Sequence, residues 1–327
     1  MKNLVRKLNE QLKDAQQIAQ GIKADSSKSF SNIVISGLGG SGIGGSITKD
    51  LLFDLSKLPI VLNRGYALPN FVDEHSLVII SSFSGNTEET LIALQQAIEK
   101  KATIFCISSG GKVIDLAKKH QLNFVQLPTA FSPRAMLSYS LTQLVYALKA
   151  YGVFEANLDN IWEGIIQSIE TNTASIQKEA KMLADFFYKK TPILYCVDGF
   201  NGVSERFRQQ INENSKMLSW HQTVPEMNHN ELVGWTTSQD HKDKSVLFMT
   251  NPSDYERNRT RIELNQEIIS NYAETKKIES KGANNFEQSF YWIHLGDWTS
   301  VYLSELNGVD VMEVKVIDYL KSELGKS

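Results

Sequence analysis

Apolar and polar residues alternate along this chain with two different periods, and the two periods follow each other from one end to the other. Short runs of Val, Ile, Leu and Phe predict buried strands, whereas apolar residues three or four positions apart predict amphipathic helices. In the first half, strands are predicted at residues 32–36, 59–62, 76–82, 102–107 and 123–126. Helices are predicted over the first two dozen residues and at 42–53, 88–101, 112–119 and 134–151. This alternation favours a parallel sheet with helices on both faces.

The same alternation returns after a polar, helix-prone stretch at residues 157–190 that has no strand pattern. Strands are then predicted at 192–197, 219–222, 245–249 and 276–279, and helices at 202–216, 255–271, 286–306 and 314–324. The predicted fold class is therefore α/β, with two doubly wound, flavodoxin-like domains whose parallel sheets are flanked by helices. We expect an N-terminal domain with a leading helix at 1–153, a helical connector at 154–190 and a C-terminal domain at 191–327.

Two loops rich in small residues follow predicted strands of the first domain. Residues 36–46 read SGLGGSGIGGS and follow an Ile-Val-Ile run, and residues 81–90 read SSFSGNTEET and follow a Leu-Val-Ile-Ile run. Backbone N–H groups at such helix starts, joined by hydroxyls, form anion sites. Doubly wound sheets bind ligands at the carboxyl ends of their strands, where both loops lie. The pair predicts a phosphorylated ligand held from two sides.

The first loop also fits a dinucleotide fingerprint, which keeps an NAD(P)-dependent oxidoreductase open. Gly37, Gly39 and Gly42 match G-x-G-x-x-G. That interpretation expects an acidic residue at the end of the second strand, to bind the ribose. Residues 62–64 read Leu-Asn-Arg there, so only an NADP form using Arg64 is compatible.

The second loop favours a phosphate monoester instead. Ser82, Ser84 and Thr87 place three hydroxyls near one helix start. The competing interpretation is that these residues only cap the helix, which applies most to Thr87 because two glutamates follow it.

Composition and charge exclude several classes of protein. The 327 residues are 42% hydrophobic and carry a formal net charge of −3 without a basic cluster, which argues against nucleic-acid binding. The sequence has no run of about 18 apolar residues, so no membrane span is predicted. Cys106 and Cys196 lie inside apolar runs, which favours buried reduced thiols. We expect a cytoplasmic protein that binds neither nucleic acid nor a membrane.

Three segments carry candidate acid–base chemistry. Glu213 lies between two asparagines near the end of a predicted helix, just before an apolar pair. His229 belongs to residues 225–235, PEMNHNELVGW, which combine a His, two Glu and two Asn with an aromatic end. Arg134 follows a proline at the start of an apolar helix.

These motifs together resemble a known family over nearly the whole chain. The loop pair resembles the SIS (sugar isomerase) domain, and five motifs in order resemble the bifunctional phosphoglucose/phosphomannose isomerases. The motifs are GGSG, S-x-SGNT-x-E, Pro-Arg before an apolar helix, NEN-x-K, and NHNE followed by Gly-Trp. The resemblance implies two SIS domains, a homodimer with shared active sites, a sugar 6-phosphate substrate, and no metal or organic cofactor.

The resemblance also implies a role for each matched residue. Glu213 would be the base that moves a proton between C2 and C1 through a cis-enediol(ate), and Arg134 would stabilise the enediolate oxygen. His229, from the neighbouring subunit, would open the sugar ring with help from Lys321. The phosphate would be bound by Gly40, Ser41, Ser82, Ser84 and Thr87.

One stretch departs from the family. Residues 309–314 read VDVMEV, where family members often carry Pro and a Thr linked with room for the mannose epimer. Glucose 6-phosphate is therefore the firmer expectation and mannose 6-phosphate the second. A phosphosugar-sensing SIS regulator is a further alternative, although no basic helix-turn-helix pattern is present.

Overall fold

A parallel five-stranded sheet forms the centre of the first half of the molecule. The computed structural model describes residues 1–129, 132–236 and 241–326. The strands are β1 (Asn32–Ser36), β2 (Ile60–Asn63), β3 (Ser76–Ser81), β4 (Thr103–Ser108) and β5 (Asn123–Gln126). Their order is β2-β1-β3-β4-β5, and every neighbouring pair is parallel. This is the flavodoxin-like order, whose switch point lies between β1 and β3.

Helices cover both faces of this sheet. They are α1 (Lys2–Arg6), α2 (Leu8–Ala19), α3 (Gly39–Leu51), α4 (Glu88–Glu99), α5 (Gly111–Lys119) and α6 (Leu137–Ala150). The single N-terminal helix predicted from the sequence is wrong, because the helix is interrupted at Lys7. The helix predicted from Arg134 is also wrong at its start. A 3₁₀ turn at Pro133–Ala135 comes first, and the non-helical backbone of Met136 separates it from α6.

A long helix, α7 (Leu158–Phe187), leads to a second sheet. Its strands are β6 (Thr191–Val197), β7 (Trp220–Val224), β8 (Lys244–Thr250) and β9 (Glu274–Glu279). They are all parallel, in the order β7-β6-β8-β9. The remaining helices are α8 (Asn201–Ser215), α9 (Glu231–Trp235), α10 (Glu256–Ile269), α11 (Asn285–Leu306) and α12 (Lys315–Leu324). The predicted α/β class with two doubly wound sheets is confirmed.

The two halves pack closely through α3 and α8. A Cβ on Gly202 would lie 2.7 Å from the backbone nitrogen of Ile47, so only glycine allows this approach. The Asp50 carboxylate accepts the Gly202 N–H at 2.7 Å, and burial raises the pKa of Asp50 to about 6. The N-terminus of α3 and the C-terminal half of α8 therefore face a common space. Among the described residues, no helix is long and apolar enough to span a bilayer.

Candidate active site

The glycine loop after β1 is shaped by close backbone approaches. A Cβ on Gly37 would lie 2.7 Å from the Ser81 carbonyl oxygen, and one on Gly42 would lie 2.5 Å from the Gly37 carbonyl oxygen. With no side chain in the way, α3 starts at Gly39, three residues before the predicted start. The Ser41 hydroxyl oxygen accepts the Phe83 N–H at 3.0 Å. The loops after β1 and β3 are thus joined at the switch point.

The loop after β3 presents hydroxyls that do not cap its helix. The Ser82 hydroxyl donates to Thr87 Oγ1 at 3.1 Å, and Ser84 Oγ accepts the Asn86 N–H at 3.3 Å. Thr87 occupies the N-cap position of α4, yet its side chain makes no capping hydrogen bond. Gly85 has a φ of +69°, and a Cβ there would lie 1.8 Å from the Gly110 carbonyl oxygen. The capping interpretation of Thr87 is therefore not supported.

Arg134 is held by all three nitrogens of its guanidinium. Nη1 donates to Glu213 Oε1 at 2.9 Å, Nε donates to Asn214 Oδ1 at 2.7 Å, and Nη2 donates to the Val311 carbonyl oxygen. Only 11% of the side chain is exposed. Because every nitrogen has a fixed acceptor, the guanidinium has one orientation, with its edge against the Glu213 carboxylate.

Glu213 lies in the last turn of α8 and borders a cavity of about 340 Å³. About a third of its side chain is exposed. Lys216, in the left-handed conformation, ends the helix and donates its ammonium to the Glu213 carbonyl at 2.6 Å. Burial, followed by the nearby Arg134 cation, lowers the pKa of Lys216. The volume of the cavity that Glu213 borders is within the range of small-molecule sites.

The cavity unites some of the predicted site residues and not others. Its lining comes from α3, the 3₁₀ turn Pro133–Ala135, the start of α6, α8 and α12. The lining residues are Gly39, Gly40, Ile43, Pro133, Arg134, Leu137, Arg206, Gln209, Gln210, Asn212, Glu213 and Ile317. Gly40, Arg134 and Glu213 thus meet in one place. The lining includes neither the predicted phosphate-binding residues Ser41, Ser82, Ser84 and Thr87 nor His229 and Lys321. Ser41 follows the lining residue Gly40 and accepts the Phe83 N–H of the loop after β3.

His229 lies at the end of a 3₁₀ turn, Glu226–His229, and is exposed. Its polar neighbours build this segment: Asn228 donates to Asn265 Oδ1 at 2.6 Å, and Asn230 Oδ1 accepts the Glu231 N–H at 2.6 Å. Glu231 in turn accepts from the Tyr195 hydroxyl at 2.5 Å. The surrounding motif therefore holds the turn in place and leaves the imidazole on the surface.

Lys321 projects from α12, a helix with no buried residue. Both predicted ring-opening residues therefore face outward from this single chain.

Three polar cavity residues were missed by the sequence reasoning: Arg206, Gln209 and Gln210. All three lie on α8 and share a face with Glu213, because they precede it by seven, four and three positions. A face of four polar residues on a buried helix was the available signal.

Arg64 is paired within the chain. Its Nη1 and Nη2 donate to the two oxygens of Glu205 at 2.6 and 2.9 Å, and Nη2 also donates to Ser46. Desolvation works against ionisation of Glu205, but the Arg64 hydrogen bond and charge outweigh it and lower the pKa of Glu205. Arg64 therefore links α3 to α8 through Ser46 and Glu205.

Comparisons with known proteins show what this chain is similar to. Residues 176–324 match the model of the bacterial phospho-glucose isomerase C-terminal SIS domain. A bifunctional phosphoglucose/phosphomannose isomerase of Caldicellulosiruptor bescii is 35% identical over 98% of this chain and 97% of its own length. One from Aquifex aeolicus is 34% identical over 91% of each chain.

A likeness to a solved structure supports the fold alone. The C-terminal domain of the glucosamine-fructose-6-phosphate aminotransferase from Francisella tularensis superimposes with a TM-score of 0.74 at 15% identity. The match covers 94% of this chain and 97% of that domain. Fold, motifs and full-length relatives lead to one conclusion: this chain belongs to the bifunctional phosphoglucose/phosphomannose isomerase family.

Proposed function

We propose that this protein is an aldose–ketose isomerase that interconverts glucose 6-phosphate, and also mannose 6-phosphate, with fructose 6-phosphate. The observation that carries the proposal is the Glu213 carboxylate, held 2.9 Å from a fixed Arg134 guanidinium at the edge of a cavity. Isomerisation needs one carboxylate to move a proton and one cation to stabilise the enediolate, and both are present. No hydride acceptor is needed.

The phosphate of the substrate would bind where α3 and α4 begin. Ser41 joins the two loops, Ser84 is exposed, and the Thr87 hydroxyl makes no capping bond. Helix N-termini with adjacent hydroxyls favour a phosphate dianion. Gly40, beside the Arg134 backbone, leaves room for the ligand between the loop and the cavity.

The proton transfer follows from this placement. The Glu213 carboxylate would take the C2 proton of the open-chain aldose, and the C–H electron pair would form the C1=C2 bond while O1 takes a proton from a solvent water molecule. The Glu213 carboxyl would then return a proton to C1 as the O2–H bond breaks, its electron pair forms the C2 carbonyl and the O2 proton passes back to solvent. Arg134 would stabilise the charge that develops on the enediolate oxygen.

Ring opening would use His229 of a second subunit, with help from Lys321. His229 is exposed and, within the described part of the chain, makes no side-chain hydrogen bond, which suits a group that completes a partner's site. Helix α12, which carries Lys321, exposes Val316, Tyr319 and Leu320, an apolar face that a second copy would cover. A homodimer with shared active sites, working in the cytoplasm, is part of the proposal.

The phosphate loop should control the affinity for substrate. We expect Ser84→Ala and Thr87→Ala each to raise KM for fructose 6-phosphate about tenfold or more, because each removes a hydrogen bond to a charged group worth about 1.5–3 kcal/mol. Steady-state kinetics and thermal melts of the same samples provide the measurement. A lower melting temperature with an unchanged KM would instead support a capping role.

The reaction is tested by incubating purified protein with fructose 6-phosphate, without added metal or NAD(P), and resolving the hexose phosphates formed. We expect glucose 6-phosphate as a product, with mannose 6-phosphate beside it. If neither forms at high enzyme concentration, the proposed function is wrong. The ratio of the two aldoses reports the effect of the hydroxyl-free stretch at residues 309–314.

A further inference from the structure

A buried ion pair lies directly behind the catalytic arginine. Arg206 of α8 donates from Nη1 to Asp297 Oδ1 at 2.6 Å and from Nη2 to Asp297 Oδ2 at 3.1 Å. Arg206 is 4% exposed and Asp297 6%. Gln210, one turn along α8, donates to the same carboxylate at 2.5 Å. The carboxylate thus accepts three bonds from two residues that also border the cavity.

This ion pair is connected to the main chain of Arg134. Nη2 of Arg206 donates to the Arg134 carbonyl oxygen at 3.1 Å. That carbonyl belongs to the 3₁₀ turn Pro133–Ala135, which is only three residues long. So short a turn has few backbone hydrogen bonds of its own to fix its position. Arg206 therefore sets the position of the backbone from which the Arg134 side chain extends.

A second connection leads from Asp297 to the Arg134 side chain. The Ser300 hydroxyl donates to the Asp297 carbonyl oxygen at 2.9 Å and accepts from Asn214 Nδ2 at 2.9 Å. Asn214 Oδ1 then accepts from Arg134 Nε at 2.7 Å. These contacts close a ring, in which one turn of α11 holds both the backbone and the guanidinium of Arg134.

Stability alone does not account for a buried ion pair at this point. Desolvation offsets much of its attraction, and apolar residues of similar volume often stabilise a core equally well. The pair instead provides orientation. Because the planar guanidinium of Arg206 is fixed by both carboxylate oxygens of Asp297, it holds its third acceptor, the Arg134 carbonyl oxygen, at a defined angle. We infer that Arg206 and Asp297 are positioning residues, which orient Arg134 against Glu213. The inference rests on the proposed isomerase function for its kinetic consequences.

The first test uses Arg206→Lys, which keeps the buried charge opposite Asp297. A lysine cannot serve both carboxylate oxygens and the Arg134 carbonyl with the geometry of the fork. We expect kcat to fall about tenfold to a hundredfold, the range that a shift of about 1 Å can produce. KM for fructose 6-phosphate should stay within about threefold, because the phosphate loops are untouched.

A matched control lies on α11, the helix that carries Asp297. Thr299 is fully buried on α11 and donates only within that helix, to the Leu295 carbonyl. Thr299→Val also changes a buried polar group of α11, two positions from Asp297 in the sequence, and we expect it to leave kcat unchanged.

A double-mutant cycle separates positioning from general loss of structure. In an Arg134→Met background, Arg206→Lys should change kcat by less than about twofold, because the group it positions is absent. Equal losses in both backgrounds would overturn the inference, as would retention of more than half of wild-type kcat by Arg206→Lys alone.

A crystal structure of Arg206→Lys gives a result that does not depend on the substrate. We expect the Arg134 backbone to move and its 2.9 Å contact with Glu213 to be lost. A turn at residues 133–135 that superimposes on the wild type would overturn the inference. If the wild-type protein shows no isomerase activity, the proposed function fails, and this comparison still decides whether Arg206 positions Arg134.

Discussion

Glu213→Gln is expected to lower turnover by about 10²–10⁴-fold, the usual contribution of a positioned acid–base group. The amide keeps the shape of the side chain and can still accept the Arg134 hydrogen bond, but it cannot take a proton from carbon. KM should change little, since the phosphate loops provide the binding. Initial rates with fructose 6-phosphate at several enzyme concentrations give the measurement.

Glu205→Gln is the matched control. Glu205 is a second carboxylate of α8 paired with an arginine, but it lies outside the cavity that Glu213 borders. We expect its variant to keep turnover within about threefold of wild type, as befits an ion pair without a part in the chemistry. Retention of a tenth or more of the activity by Glu213→Gln would remove Glu213 from the role of base.

Mixing two inactive variants is expected to restore activity. If Glu213 of one chain works with His229 of its partner, a heterodimer of Glu213→Gln and His229→Ala contains one intact site and one doubly altered site. Refolding an equal mixture from denaturant gives about half heterodimers, so about a quarter of the sites should be active in a two-fold symmetric dimer. The activity of the refolded mixture is compared with that of each variant refolded alone.

Glu213→Gln mixed with Arg134→Met is the control, because both residues border the same cavity of one chain. No arrangement of these two chains contains an intact site, so no recovery is expected. If the Glu213→Gln and His229→Ala mixture is dimeric and stays inactive, His229 does not complete the site of its partner.

The strands were the part of the fold that the sequence predicted best. Each predicted strand ends within two residues of the observed one, because strands buried on both faces are continuous apolar runs such as residues 77–80. Helix starts were less accurate. Glycine has no side chain to show a pattern, so the start of α3 at Gly39 depends on its contact with the neighbouring loop.

Only those site residues that belong to local sequence motifs were predicted. Gly40, Arg134 and Glu213 were found from local patterns, and the structure brings them together. The contacts that orient Arg134 join residues far apart in sequence: 177 positions separate it from Val311, and 91 separate Arg206 from Asp297. The hydrogen-bond partners of Arg134 and Arg206 are fixed only when α8, α11 and the loop before α12 pack together.

The most direct measurement of the central claim follows the conversion of fructose 6-phosphate in D₂O by NMR. Because a third of the Glu213 side chain is exposed, a proton held on it exchanges with solvent. We predict glucose 6-phosphate that carries deuterium at C2 in a measurable fraction of the product, formed without NAD(P), and loss of both conversion and label in Glu213→Gln. Conversion and label that persist in Glu213→Gln, or no aldose at all from the wild-type protein, would contradict proton transfer by Glu213.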